Sequence, residues 1–117
     1  MSYTARAAIT RAVNTPVVVE TITVDGPKSD EVTIKLGACG VCHSDLSAVN
    51  GTLPFPPPVV LGHEGAGTVV EVGAGVTEFA VGDTVLSSFV SMCGQCRYCS
   101  TGRPALCDLS GKALLTL

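Results

Sequence analysis

A barrel-like, mainly β domain with short helices and an appended metal-binding lobe is the fold class that this sequence predicts. Three observations carry that expectation. Short runs rich in Val, Ile and Thr recur along the chain with turn residues between them. Little of the sequence reads as helix, so many short strands must account for the core. A tight set of cysteines, Cys93, Cys96, Cys99 and Cys107, then follows the strands.

Taken in order, the first strands are expected over Arg6 to Arg11, Val17 to Val24 and Glu31 to Leu36. They are separated by Asn14-Thr15-Pro16 and by Asp25-Gly26-Pro27, residues that favour turns. Val32, Ile34 and Leu36 alternate with Thr33 and Lys35, the period-two pattern of a half-buried strand. Gly37 to Asp45 breaks the alternation and reads as a loop rich in chemistry. Ser44 to Val49 predicts a short helix capped by Ser44 or Asp45. Leu53 to Pro58 holds too many prolines to donate ladder hydrogen bonds and is expected to be extended and irregular. Further strands are expected over Gly65 to Val72 and Val81 to Leu86. Gly62, Gly65 and Gly67 lack the dinucleotide spacing and run into a strand, so they read as sites of close backbone approach.

The totals exclude several classes of function. A chain of 117 residues suits one domain, with a structural lobe at about residues 90–109. Apolar content is 46% without a spanning run, and the net charge is −3. Neither a membrane nor a nucleic acid is therefore an expected partner. The opening Met-Ser-Tyr-Thr-Ala-Arg is not a signal peptide, which implies the cytoplasm and reduced thiols.

The spacing C-x-x-C-x-x-C followed by Cys107 lets neighbouring thiolates fold back on a single ion. Disulfides and buried free thiols are the plain alternative. An iron–sulfur cluster is the sharper one, but the bacterial run closes three residues later and continues with proline, whereas Asp108 follows Cys107 here. A zinc site closed by four cysteines shapes a loop and leaves no open position for chemistry. Cys42 and His63 are the remaining candidate ligands. Alone, each reads as readily as a satisfied core or surface residue. Cys39 reads as a buried free thiol.

Four motifs in order carry a resemblance. They are Gly40-Val41-Cys42-His43-Ser44-Asp45, Gly62-His63-Glu64-Gly65-Ala66-Gly67, Gly82-Asp83-Thr84-Val85 and the four-cysteine lobe. Together, from about Arg6 to Cys107, they resemble the zinc-containing alcohol dehydrogenases of the medium-chain dehydrogenase/reductase family. The resemblance implies the N-terminal catalytic domain, a chaperonin-10-like (GroES-like), partly open β-barrel with short helices and a zinc-binding lobe. It implies one catalytic zinc held by Cys42 and His63, with Glu64 able to approach it, and one structural zinc held by Cys93, Cys96, Cys99 and Cys107. Ser44 would take the alcohol proton, Asp45 would orient His63, and His43 would face the coenzyme pyrophosphate. Ser47 stands where relatives often carry the histidine that ends the proton relay.

The implied reaction oxidises an alcohol to an aldehyde or ketone with hydride transfer to NAD or NADP. The implied partner is a small-molecule alcohol or aldehyde, and a homo-oligomer is open only to the full-length form. The third cysteine ligand and the nucleotide-binding domain are absent from this chain, which alone is expected to be inactive. A free-standing, non-enzymatic zinc-binding β module is the alternative from another class.

Overall fold

The computed structural model describes residues 1–110. Their backbone forms two compact units, Met1–Ser87 and a second that begins at Ser88. The first unit is mainly β, as expected. It contains β1 (Tyr3–Thr10), β2 (Val18–Val24), β3 (Val32–Gly40), α1 (His43–Val49), β4 (Val59–Val60), β5 (Glu64–Val72) and β6 (Thr84–Leu86). Among its described residues the second contains the short helix α2 (Arg97–Ser100) and a 3-10 turn at Pro104–Leu106.

The strands form two three-stranded sheets, in the orders β2-β1-β4 and β3-β5-β6. β1 pairs antiparallel with β2 from Tyr3 opposite Val24 to Ile9 opposite Val18. Alternation along β1 turns Tyr3, Ala5, Ala7 and Ile9 inward while Thr4 and Arg6 face out, whereas the alternation expected along β3 is not kept, since Val32, Thr33 and Ile34 are all half-buried and Leu36 is exposed. The proline-rich segment forms no ladder until β4, whose two residues pair with Ile9 and Thr10. Across the sheets, the Tyr3 hydroxyl donates to Glu71 at 2.6 Å, tying β1 to β5. That bond, made to a carboxylate, raises the tyrosine pKa.

Two local expectations are corrected. β3 does not stop at Leu36 but runs to Gly40. Glycine at position 37 reads as a breaker, yet the sheet absorbs it as a register shift between Leu36 and Ala38, and pairing resumes as far as Gly40 opposite Glu64. The helix nevertheless begins earlier than expected: the N-cap of α1 is Cys42 instead of Ser44 or Asp45, so only Val41 and Cys42 separate the strand from the helix. Asp45 falls at the third helical position, where its carboxylate reaches back to accept the Cys42 N–H at 3.0 Å.

Close backbone approach is the role of Gly67. A Cβ added there would run into the Lys35 carbonyl oxygen and lie 2.9 Å from the Leu36 Cα, both backbone atoms of the paired strand. The interior of the first unit is sparsely filled. Ala7, Ile9, Ala48 and Val69 are its buried apolar residues among those described. Between the sheets lies a cavity of about 1110 Å³ lined by Ala5, Ile22, Ile34, Leu36, Val49 and Val70 among others. No described helix is long and apolar enough to cross a membrane.

Gly67→Ala is expected to destabilise the first unit by about 1–3 kcal/mol, the usual cost of forcing extra volume into a packed site. Urea unfolding of the variant measures it, and an unchanged midpoint would show that β3 and β5 can separate to admit a methyl group.

Candidate metal centres

All six cysteines are free thiols. Five of them fall into two clusters of donor atoms, and Cys39, which is exposed and not buried as expected, belongs to neither.

The first cluster is local. Cys93, Cys96, Cys99 and Cys107 each offer a sulfur, and the four lie within 4.8 Å of one another. Backbone amides chain them together: Cys96 N–H donates to Cys93 Sγ at 3.3 Å, Cys99 N–H to Cys96 Sγ at 3.5 Å, and Cys93 N–H to Cys107 Sγ at 3.4 Å. Cys96 caps α2, which is why the last turn of the C-x-x-C-x-x-C run closes helically on the sulfur. Amide donors favour thiolates. The N–H of Cys99 draws the Cys96 thiol down to about 6, and the N–H of Leu109 lowers that of Cys107. Burial instead pushes Cys99 up to about 11, with the neighbouring Cys96 adding to the rise. Four sulfurs so close cannot all ionise beside one another without a cation between them. With only sulfur donors and amides already directed at them, the set fits a closed tetrahedral zinc site.

The second cluster is assembled by the fold. Cys42 lies where the chain leaves β3, and His63 and Glu64 lie where it enters β5. Pairing of Gly40 with Glu64 brings the two ends together. One ligand atom from each of Cys42, His63 and Glu64 falls within 4.8 Å of the others. Asp45, largely buried, organises the group: Oδ2 accepts the Cys42 N–H, and Oδ1 accepts the Gly62 N–H at 3.1 Å and lies 3.4 Å from His63 Nδ1. One carboxylate thus touches both ends of the cluster and leaves His63 Nε2 facing Glu64, whose Oε1 is 4.0 Å away.

Electrostatics in this cluster favour the ligating form of the thiol. The Ser44 N–H and then its hydroxyl, 3.6 Å from Cys42 Sγ, lower the Cys42 pKa, and His63 adds to the effect. In turn Cys42 raises the pKa of His63, ahead of the smaller contribution from Asp45. A mixed sulfur, nitrogen and oxygen donor set with one half-exposed carboxylate suits a zinc site that is not closed by protein ligands alone.

Of the remaining residues singled out by sequence, Ser44 lies beside Cys42, whereas His43 does not join the donor set. Its ring is exposed, and Nδ1 lies 3.4 Å from the Ser47 hydroxyl. Sequence reasoning missed Gly40. A Cβ there would collide with Oε2 of Glu64 and sit 3.1 Å from its Cβ, so glycine keeps open the space into which that carboxylate folds. The signal was available in principle, because a glycine that continues a strand next to a candidate ligand implies close approach.

Comparison with known proteins identifies the family and the fold. Residues 28–115 match the alcohol dehydrogenase GroES-like domain family. An NDMA-dependent alcohol dehydrogenase of Amycolatopsis methanolica is 46% identical over 109 residues, 93% of this chain and 29% of that protein. A solved alcohol dehydrogenase zinc-binding domain protein from Burkholderia ambifaria superposes with a TM-score of 0.90 at 38% identity, covering 94% of this chain and 30% of that one. Benzyl alcohol dehydrogenase from Acinetobacter calcoaceticus gives 0.86 at 39% identity, covering 92% and 30%. The chain therefore spans less than a third of the length of the relatives it matches. With the family matched across most of its length and the same fold in solved relatives, the chain belongs to the GroES-like, N-terminal domain family of the zinc-type alcohol dehydrogenases.

Proposed function

We propose that this chain is the catalytic-domain portion of a zinc-dependent alcohol dehydrogenase, oxidising an alcohol to an aldehyde or ketone with NAD or NADP as hydride acceptor. The observation that carries the proposal is the second donor cluster. A chain that used zinc only for structure would need the four-cysteine lobe alone, whereas Cys42, His63 and Glu64 meet outside it with an oriented carboxylate behind the histidine.

In this reading Cys42 and His63 hold a catalytic zinc, with Glu64 within reach of it, and Cys93, Cys96, Cys99 and Cys107 hold a structural one. Zinc with an open position supplies Lewis acidity, polarising a substrate oxygen and making its proton easier to remove. The chain's own residues do the rest. Asp45 fixes the His63 tautomer by taking Nδ1–H, which keeps Nε2 as the donor atom and raises its basicity. Ser44, donor and acceptor at once, stands beside the Cys42 sulfur and relays the hydroxyl proton of the alcohol, accepting it while passing its own proton on towards water. His43 is assigned to the coenzyme pyrophosphate, where an exposed imidazole contributes positive charge when protonated. The nicotinamide carries the hydride chemistry, and the protein's part is to place the substrate carbon against it.

The activity is tested in a full-length protein carrying this domain, by following the absorbance of reduced coenzyme with primary and secondary alcohols. Cys42→Ala is expected to abolish turnover, and a variant that keeps its rate would overturn the proposal. Asp45→Asn replaces one accepting oxygen with an N–H₂ group in a site where three donors converge. It is expected to weaken zinc retention at the Cys42 site ~10–100-fold while leaving the four-cysteine site filled. Metal analysis after dialysis decides, and unchanged zinc content with unchanged rate would refute the role given to Asp45.

Cys96→Ser is expected to act on folding first. A closed zinc site contributes folding free energy outright, and three thiolates recover it poorly. Proteolysis should rise between Val90 and Leu109 while the β unit stays resistant. Retained zinc and wild-type melting would mean that the lobe is not a closed zinc site.

A further inference from the structure

Ser87 stands just past β6 and outside every motif that the sequence singles out. Its backbone N–H donates to the Gly65 carbonyl at 2.8 Å. Its hydroxyl oxygen accepts the Gly65 N–H at 2.7 Å, and the same hydroxyl donates to the His63 carbonyl at 3.0 Å. The three bonds straddle Glu64. They also lie beyond the last β5–β6 residue pair, Ala66 with Leu86, so a side chain continues the pairing where the regular ladder has ended.

We infer that Ser87 is a positioning residue for the Cys42–His63–Glu64 cluster. By bridging the His63 carbonyl and the Gly65 amide, its hydroxyl fixes the backbone from which the imidazole and the carboxylate project. The inference rests on reading that cluster as a zinc site and adds a second outer support to it. Asp45 secures the approach to His63 through the Gly62 N–H and the ring. Gly40 pairs with Glu64 from the β3 side. Ser87 is the tie from the β6 side.

A hydroxyl suits the position because it alone gives and accepts at one atom. Alanine would leave the Gly65 amide, on a buried residue, without this partner and the His63 carbonyl without its donor, while keeping the backbone bond to the Gly65 carbonyl. Ser87 is itself exposed, so truncating it opens no cavity.

The test is cobalt(II) titration of the metal-free full chain, read by its thiolate-to-metal absorption, for the wild type, Ser87→Ala, Ser87→Thr and Cys42→Ala. The Cys42→Ala spectrum isolates the four-cysteine class, and the difference from wild type gives the Cys42 class. Ser87→Ala is expected to weaken uptake by the Cys42 class about tenfold, at the lower end of the usual effect of losing an outer partner, without altering the four-cysteine class. Ser87→Thr, which keeps the hydroxyl, is expected to restore it. Wild-type titration by Ser87→Ala would overturn the inference. So would parallel loss of both classes, or a threonine variant no better than alanine, because the hydroxyl bridge would then not be the cause. If Cys42→Ala removes no cobalt class at all, the zinc reading of the cluster fails and the role of Ser87 falls with it, an outcome recognisable because it involves no change at Ser87.

Discussion

Antiparallel pairing of β3 with β5 is the constraint on which the rest of the first unit depends. The ladder runs from Val32 opposite Val72 to Gly40 opposite Glu64 and tolerates two register shifts on the way. A side-chain period of two makes register decisive, since a slip of one residue would exchange faces along the strand. Gly67 allows the strands their close approach, and Gly37 is left out of the pairing so that the far end can close. What lies beyond that end, Cys42 on one side and His63 on the other, meets because the ladder has delivered both chain ends to one place.

Asp45 converts this proximity into a site. It closes the first turn of α1 on the Cys42 N–H and also holds the Gly62 N–H and the His63 ring. Secondary structure and ligand orientation are thus carried by one side chain, so the carboxylate cannot be judged by either role alone. The four-cysteine cluster works differently. There the backbone supplies the order, amides pointing at neighbouring sulfurs, and the thiols are pulled to different acidities first by amide donation at Cys96 and by burial at Cys99, with bonds between the thiols adding to both.

Legibility of the sequence followed the range of the forces involved. The grouping of the four cysteines was readable because they are near neighbours in the chain and their spacing already brings the sulfurs together. The strands were readable through alternation and β-branched runs. Cys42 and His63 were not legible by spacing, because no local rule places a strand end beside a residue from another strand, and they were named only through the ordered motifs of a family. The reading of Gly37 as a break failed because a sheet can absorb an extra residue, and the cap was misplaced for a separate reason, since Ser and Asp are favoured cap residues and Cys42 carries no such signal. Ser87 had no signal of its own, since it matters only through what the fold sets opposite it, and the signal at Gly40 could be used only once β3 was known to continue through Gly37.

The two clusters also differ in when they can exist along a folding trajectory. Gathering Cys93, Cys96, Cys99 and Cys107 requires closing only short loops, whose entropy cost is small and whose closure takes tens of nanoseconds or so for about ten residues. Gathering Cys42, His63 and Glu64 requires the β3–β5 ladder, a non-local pairing of the kind that forms slowly. A full chain refolding from the unfolded state therefore gathers its cysteine lobe before it gathers the donors at the strand ends. If both clusters take zinc as proposed, the donors of the lobe are the first to be assembled for it, a consequence of sequence separation alone.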